Sequence, residues 1–514
     1  MGIFNLFSKK EDEKAYYNKV DYSILNEAAL KNDTKVSVVV PVYNAIAYLE
    51  KTVDSIIKQT IGFENITCIL VDDGSNDGSR ELLKSYSETY KNIVSIFLET
   101  NTGTPAFPRN LGTHLANSKY IMYVDADDWL SLDGIQILYD LLEETNGKYA
   151  VGKSIQVDSK GQKVIGRYES SKVRHNVSPF SIKHLFYHLG PRARMMSLDL
   201  IKHHKIRYPE MKFAEDKQFF IDVILAAGEI STTTETIYYL NRIDDNDSLT
   251  KQTDIGEKMD SNIKVLKYVL NKKLEPEKEK NIVNRLIEFD CITRLFDRKH
   301  FVKSKDKQLY YAKFHEAMGL FKKAKRPYEI RETIIKPINV IYFDLAMAKD
   351  YGTLEALAKW SKKGGETKQI IENGLPYNVA VLENGKEMKI PVRLKAELDT
   401  EMQDQEKIQL KIKLTGHSLS PIEGVALIDR ANVDNVYQLP NAVKQKEDSA
   451  VVSLKMEELN VLPKGSYEFA LMYDDYEKKL VKKRTETTLT AKLDNGQKFN
   501  LYKTINNNIG VKVK

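Results

Sequence analysis

"KVSVVVPVY" (Lys35–Tyr43) is the stretch on which the reading of this chain turns. Its β-branched run shows no apolar–polar alternation, so it reads as a strand buried on both faces, as at the centre of a parallel sheet. After Asn44, a plausible helix cap, "IAYLEKTVDSIIKQT" places Leu49, Val53, Ile56 and Ile57 on one helical face. The rhythm then repeats. "NITCILVDDGS" reads as a strand closing in acids and a turn, and "SRELLKSYSETY" as a helix with Leu82, Leu83 and Tyr86 on one face. "NIVSIFLE" is a third strand; "KYIMYVD" is a fourth, after a helix around Asn110 to Ala116. This alternation predicts an α/β domain with a mostly parallel, twisted sheet covered by helices on both faces.

In such sheets ligands sit beyond the carboxyl ends of the strands. The polar clusters fall there: Pro41 to Asn44, Asp72 and Asp73, Asn101 to Arg109, and Asp125, Asp127 and Asp128. An unpaired buried charge is costly, so acids ending an apolar strand call for a cation, a hydrogen-bonded partner or water. A strand-end Asp can accept hydrogen bonds from a base or ribose hydroxyls. An acid pair spaced one residue apart, as in Asp125-Ala126-Asp127, can hold a hard divalent cation.

The rest of the chain bounds the answer. At 514 residues it exceeds one ordinary core. A 42% hydrophobic and 29% charged composition is that of a soluble globular protein. Cys68 and Cys291 are its two cysteines, too few and too far apart for a disulfide framework or metal knuckle, which suits a reducing compartment. No apolar run reaches membrane-span length. "MGIFNLFSKKEDEK" lacks the h-region of a secretion signal, and Leu6 breaks the myristoylation pattern. It reads as a frayed terminus, with peripheral membrane contact through Ile3, Phe4, Leu6 and Phe7 as the second reading. The formal charge of +6 suits a polyanionic partner, but no nucleic-acid-binding motif accompanies it.

Four segments are expected: a tail (1–33), a catalytic domain (34–250), a helical linker domain (251–368) and a β-sandwich domain (369–514). "NIVNRLIEFDCITRLF" typifies the helical pattern, and "KIQLKIKLTGH" and "SYEFALMY" the short strands that follow "KKGGE".

The segments "VVVPVYN", "LVDDGSNDGS", "ETNTGTPAFPRNLG", "YVDADDW" and "FAEDKQFF", within about residues 34–250, resemble the family 2 inverting glycosyltransferases of the A-type nucleotide-sugar fold. The "ETN…PRN" and "YPEMKFAEDKQFF" segments look most like the sub-group that decorates wall teichoic acid, which includes poly(ribitol-phosphate) N-acetylglucosaminyltransferases. Larger members carry a helical linker and a trimerising C-terminal β-sandwich, so the resemblance implies a homotrimer.

The resemblance implies roles residue by residue. Pro41 and Tyr43 line the uridine pocket, and Asp73 accepts from uracil or ribose. Asn101 and Arg109 contact the nucleotide or its diphosphate. Asp125 lies beside ribose and metal, and Asp127 ligates Mn2+ or Mg2+. Asp216 is the general base, with Glu215 beside it; on its own that pair reads as helix N-terminal acids favoured by the macrodipole. Some relatives place a metal-reaching His after the last catalytic strand. Here "NRIDDNDSLTK" has none between Arg242 and Thr250, leaving Asp247 or water. Asp128 is assigned to capping the following turn.

The implied reaction is transfer from a UDP-sugar to an anionic polyol-phosphate polymer at the cytoplasmic face of a bacterial membrane. Asp216 deprotonates the acceptor hydroxyl, which displaces UDP with inversion. "GPRARMMSLDLIKHHKIRYP" precedes the base, and its Arg192, Arg194, Lys205 and Arg207 are the candidate acceptor contacts. A solvated basic face is the alternative for that stretch. For the whole chain, the alternatives are a capsule or glycolipid glycosyltransferase and a catalytically silent glycan-binding scaffold. The transferred sugar, N-acetylglucosamine or a hexose, is not legible.

Overall fold

The computed structural model describes residues 13–243, 254–432 and 435–514. Asp247 and the tail residues Ile3, Phe4, Leu6 and Phe7 lie outside the described residues. The chain divides into two compact units, Met1–Val269 and Leu270–Lys514.

The first unit is built on an eleven-stranded mixed sheet. Its strands are β1 (Tyr22–Leu25), β2 (Val36–Val42), β3 (Ile66–Asp72), β4 (Ile93–Leu98), β5 (Tyr120–Tyr123), β6 (Trp129–Leu130), β7 (Tyr149–Asp158), β8 (Gly161–Ile165), β9 (Arg174–Val177), β10 (Arg194–Ser197) and β11 (Ile230–Asn241). The order β1-β4-β3-β2-β5-β10-β7-β11-β6 has β8 paired to β7 and β9 to β11. The four strands read from the sequence form its parallel centre, β4-β3-β2-β5. The extension differs: β10 runs antiparallel to both β5 and β7, whereas β11 is parallel to β7.

Helices α1 (Glu13–Tyr17), α2 (Ile46–Ile57), α3 (Ser79–Thr89), α4 (Ala106–Leu115), α5 (Gly134–Thr145), α6 (Leu198–His203) and α7 (Glu215–Ala227) accompany the sheet. Val36, Val38, Val39 and Val40 of β2 are each 0% exposed, as a both-sides-buried strand requires. α4 lies against this strand closely. A Cβ on Gly112 would sit 2.5 Å from Val39 Cγ1, so only glycine lets the helix approach.

In the second unit, helices run from Pro276–Asn284 to Tyr351–Lys363 and include a nine-residue π-helical stretch, Arg285–Thr293. A three-stranded sheet (Thr367–Glu372, Leu375–Val381, Glu387–Pro391) follows. A four-stranded and a seven-stranded antiparallel sheet then share one core, in which Leu410, Ile412 and Val452 meet Leu427, Phe469 and Val511. That is a β-sandwich.

Candidate active site

The ends of β2, β3 and β4 are sewn together by short polar side chains. Val42 and Asp72 are partners across β2 and β3, and Asp73 N–H donates to Val42 O at 2.8 Å. This sets half-buried Pro41 and exposed Tyr43 at the same edge as Asp73. Asp72 is fully buried; it accepts from the N–H groups of Gly74 (3.2 Å) and Ser75 (3.3 Å) and pairs with Arg80 Nε at 3.0 Å. Asp73 Oδ1 accepts from Thr102 N–H and Thr102 Oγ1, both at 2.9 Å. Burial raises the pKa of both acids, against the hydrogen bonds and, for Asp72, the Arg80 charge.

Asp73 thus anchors the loop after β4 as well as facing the edge. Asn101, on that loop, is exposed, and its Oδ1 accepts from Gly103 N–H. The loop rides on Gly74, whose φ is +75°; a Cβ there would meet Asn101 N at 3.0 Å. Thr102 went unread although it stands beside Asn101. Nothing in a lone threonine announces that it will bind an acid 29 residues away.

Asn44 is not the cap of α2. It takes a left-handed φ of 46°, and its Oδ1 accepts from Asn76 N–H at 2.9 Å. The N–H groups at the start of α2 are served from the start of α3 and the loop before it instead, Ala45 by Ser79 Oγ (3.1 Å) and Ile46 by Asp77 Oδ2 (3.0 Å).

β5 ends at Tyr123, which leaves the acids in a tight turn closed by Asp128 N–H donating to Asp125 O at 3.0 Å. Asp128 is structural, but it does not cap that turn. Its carboxylate, 1% exposed, accepts from Tyr238 Oη (2.8 Å) and Asn241 N–H (2.7 Å), clasping the end of β11. Burial, then the charges of Asp127 and Asp125, push its pKa well up. Asp125 and Asp127 remain half-buried. Among the described residues no group of three or more His, Cys, Asp or Glu is placed to hold a metal. Two carboxylates nonetheless suit Mg2+ or Mn2+, which take one or two protein carboxylates and complete the shell with substrate phosphates and water.

The base candidates open α7. Ala214 precedes them at a φ of +68°, a left-handed conformation that costs a side-chain-bearing residue about 1–2 kcal/mol. Glu215 is buried and Asp216 half-buried. Asp216 Oδ1 accepts from Lys217 N–H at 2.8 Å. Burial, then the Asp216 charge, lifts Glu215 to a pKa of about 7 against the pull of Arg109. Asp216 is also raised by burial, and Lys217, Arg109 and Arg192 oppose it. A Cβ on Gly190 would lie 3.7 Å from Asp216 Oδ2 and 3.5 Å from Arg192 Nε, which places this glycine beside both the base candidate and Arg192.

Arg109 sits between two acids at this edge. Its side chain is 5% exposed and bridges two acids, Nη2 to Asp125 Oδ1 at 2.7 Å and Nη1 to Glu215 Oε1 at 3.1 Å. It therefore ties the acid turn after β5 to the start of α7. Next to it Asn110, unread as a site residue, accepts from Tyr208 N–H and donates to Tyr208 O, both at 2.8 Å. Tyr208 stacks on Phe219 of α7 with ring centroids 3.8 Å apart. "PRN" is thus a clamp on the loop that delivers the base.

The four expected acceptor contacts separate. Arg194 is 1% exposed and belongs to no surface; it pairs with buried Glu169 and donates to Tyr149 Oη and backbone carbonyls. Arg194 lies on β10, an inner strand, which a run of basic letters does not disclose. Arg192 is half-buried against His188, Arg207 is half-buried with its guanidinium 4.4 Å from the Tyr16 ring, and Lys205 is exposed.

Residues 37–204 match the family model "Glycosyl transferase family 2". A Haemophilus influenzae protein named as an uncharacterized glycosyltransferase is 32% identical over 197 residues, covering 37% of this chain and 71% of that one. The chain belongs to glycosyltransferase family 2. A poly(ribitol-phosphate) beta-glucosyltransferase of Bacillus spizizenii is 32% identical over 206 residues, 40% of this chain. The match spans about a third of that relative's length (32%). Among solved structures, Staphylococcus aureus TarS covers 94% of this chain and 85% of its own at 19% identity, TM-score 0.56. Its 1–349 fragment with UDP-GlcNAc covers 70% of this chain and 99% of its own at 21% identity, TM-score 0.56. The likeness carries the fold from the glycosyltransferase sheet through the helices to the C-terminal sheets.

Proposed function

We propose that this chain transfers a sugar from a UDP-sugar to hydroxyls of a wall teichoic acid, a polyol-phosphate polymer, with inversion at the anomeric carbon. The observation that carries the reading is the Arg109 bridge. It joins the acid turn beyond β5 to the Glu215–Asp216 pair, so that a donor edge and a base occupy one side of the sheet. The donor and acceptor classes draw support from relatives and neighbours named for poly(ribitol-phosphate) transfer and for binding UDP-GlcNAc.

In this reading Pro41, Tyr43 and Asp73 hold the uridine, and Asp216 accepts the proton of the acceptor hydroxyl as its oxygen attacks from the face opposite UDP. Glu215, raised by burial, holds its proton near neutrality and spares Asp216 a second adjacent negative charge. Mn2+ or Mg2+, held by Asp127 with Asp125, would neutralise charge on the diphosphate. The reaction belongs at the cytoplasmic face of the membrane. The segments 34–250, 251–368 and 369–514 serve as catalytic, linker and trimerising parts.

The test is UDP release by the purified full chain against a panel of UDP-sugars, with and without a polyol-phosphate oligomer and Mn2+. Polymer-stimulated release with one preferred donor is expected. Release that no polyol-phosphate stimulates would return the acceptor to the capsule or glycolipid class.

A further inference from the structure

Arg192 is held by a row of side chains that ends at Glu169. Glu169, 1% exposed, pairs with Arg194 and faces His188 Nδ1 at 3.1 Å. Burial first, and then the Arg192 charge, lower the His188 pKa to about 4, so the imidazole is neutral at neutral pH. A neutral ring carries one N–H. With Nδ1–H donating to the Glu169 carboxylate, Nε2 is left to accept from Arg192 Nη2. Gly166 makes room for this contact, since a Cβ there would collide with His188 Nδ1 and lie 2.9 Å from Glu169 Oε1. Hydrogen bonds of this kind lock the rotamer of a group that acts elsewhere.

The guanidinium so held borders the base candidate. The position a Cβ would take on Gly190 is 3.5 Å from both Nε and Nη2 of Arg192 and 3.7 Å from Asp216 Oδ2. Asp216 Oδ1 is engaged by Lys217 N–H, and Oδ2 is the oxygen on the Gly190 side. The backbone is strained at the same place. Ala193 holds a left-handed φ of +52° and parts Arg192 from Arg194, which enters the sheet on β10. Strain of this kind gathers at functional sites. Burial, then the Arg194 charge, depress the Arg192 pKa, as for a guanidinium held away from water. A carboxylate that takes a hydroxyl proton, beside a guanidinium fork that holds an oxyanion, matches a molecule with a hydroxyl and a phosphate a few bonds apart. Each repeat of a polyol-phosphate chain has that pattern, whereas a neutral sugar offers only the hydroxyl.

We propose that Arg192, aimed by Glu169 and His188, holds the phosphate adjoining the hydroxyl that Asp216 deprotonates, and so selects which hydroxyl of the polyol is glycosylated. The proposal rests on the polyol-phosphate reading of the acceptor and on Asp216 as the base. It makes Arg192 an acceptor ligand, and His188 and Glu169 positioning residues.

The test uses the full chain with Arg192→Gln, the conservative Arg192→Lys, and His188→Ala, the folded state of each being checked by its Tm. Arg192→Gln should lower kcat/KM for a polyol-phosphate oligomer about ten- to a hundredfold, the worth of a charge-assisted hydrogen bond. Donor KM should stay within about twofold, and the preference for the oligomer over neutral ribitol should shrink by about tenfold or more. Arg192→Lys and His188→Ala should fall between wild type and Arg192→Gln. Product analysis by NMR should find the sugar on one hydroxyl with wild type and spread over several with Arg192→Gln. Calorimetric titration of the UDP-loaded chain with glycerol phosphate reads the contact without turnover, and Arg192→Gln should bind it more weakly. Unchanged oligomer kinetics and unchanged glycerol phosphate affinity overturn the proposal. A raised donor KM with oligomer KM unchanged also overturns it, in favour of a contact to the leaving diphosphate. An equal loss on oligomer and ribitol overturns it in favour of a structural role. Wild type that binds glycerol phosphate through Arg192 yet glycosylates no polyol-phosphate sinks the acceptor reading, and the choice of hydroxyl with it, while the anion contact stands.

Discussion

Arg109→Met is the substitution that asks most of this account. The guanidinium is 5% exposed and answers two carboxylates, Glu215 (side chain 11% exposed) and Asp125 (31%). Methionine fills most of the volume but leaves Glu215 facing an apolar wall, and removing one partner of a buried ion pair costs about 3–5 kcal/mol. The loss should depend on pH. Glu215 is already raised to about 7, and without Arg109 it rises further. A raised carboxylate makes the folded state bind more protons, so stability falls as pH climbs from the unfolded value through the folded one. At pH 6 wild type and variant both hold Glu215 mostly protonated, and the missing charge matters less there, falling mainly on Asp125. At pH 8 the variant must bury the ion or retain the proton. Urea unfolding at both pH values should give a loss of about 3–5 kcal/mol at pH 8 and at least about 1 kcal/mol less at pH 6. A loss equal at the two pH values, or under about 1 kcal/mol at both, would refute the bridge as described.

Three further outcomes follow from particular contacts. Asp127→Ala should abolish metal-stimulated UDP release while leaving Tm within a few degrees of wild type; full activity with Mn2+ would remove Asp127 from the metal site. Asp128→Ala strips Tyr238 Oη and Asn241 N–H of their acceptor and should cost about 1–3 kcal/mol, read by urea unfolding. A chain ending near Gly364 should keep UDP-sugar hydrolysis and lose the trimer proposed for the full chain; light scattering showing the same assembly for both chains would free the sandwich of that role.

The parallel centre was legible because a β-branched run buried on both faces has no other comfortable home, as Val36 to Val40 show. The antiparallel insertion of β10 was not. Its sequence, Arg194 to Ser197, begins with a basic residue whose neutralising partner, Glu169, lies 25 residues upstream. A charge reads as surface until its partner is known. The same limit explains Arg109, whose two acids lie 16 and 106 residues away. Asp128 was separable from Asp125 and Asp127 only through β11, since three acids in one turn look alike until a strand end claims one. Strand-end position marks where a site is; it does not say which member of a cluster faces substrate and which faces the protein.

Asp216→Asn measures the central claim most directly. The amide keeps the size and can still accept from Lys217 N–H, but it cannot take a proton from an acceptor hydroxyl. With UDP-sugar affinity measured by calorimetry and transfer by single-turnover assay, affinity should hold within a few-fold while the rate falls by about two to four orders of magnitude. Donor affinity lost with the transfer rate preserved would contradict Asp216 as the base.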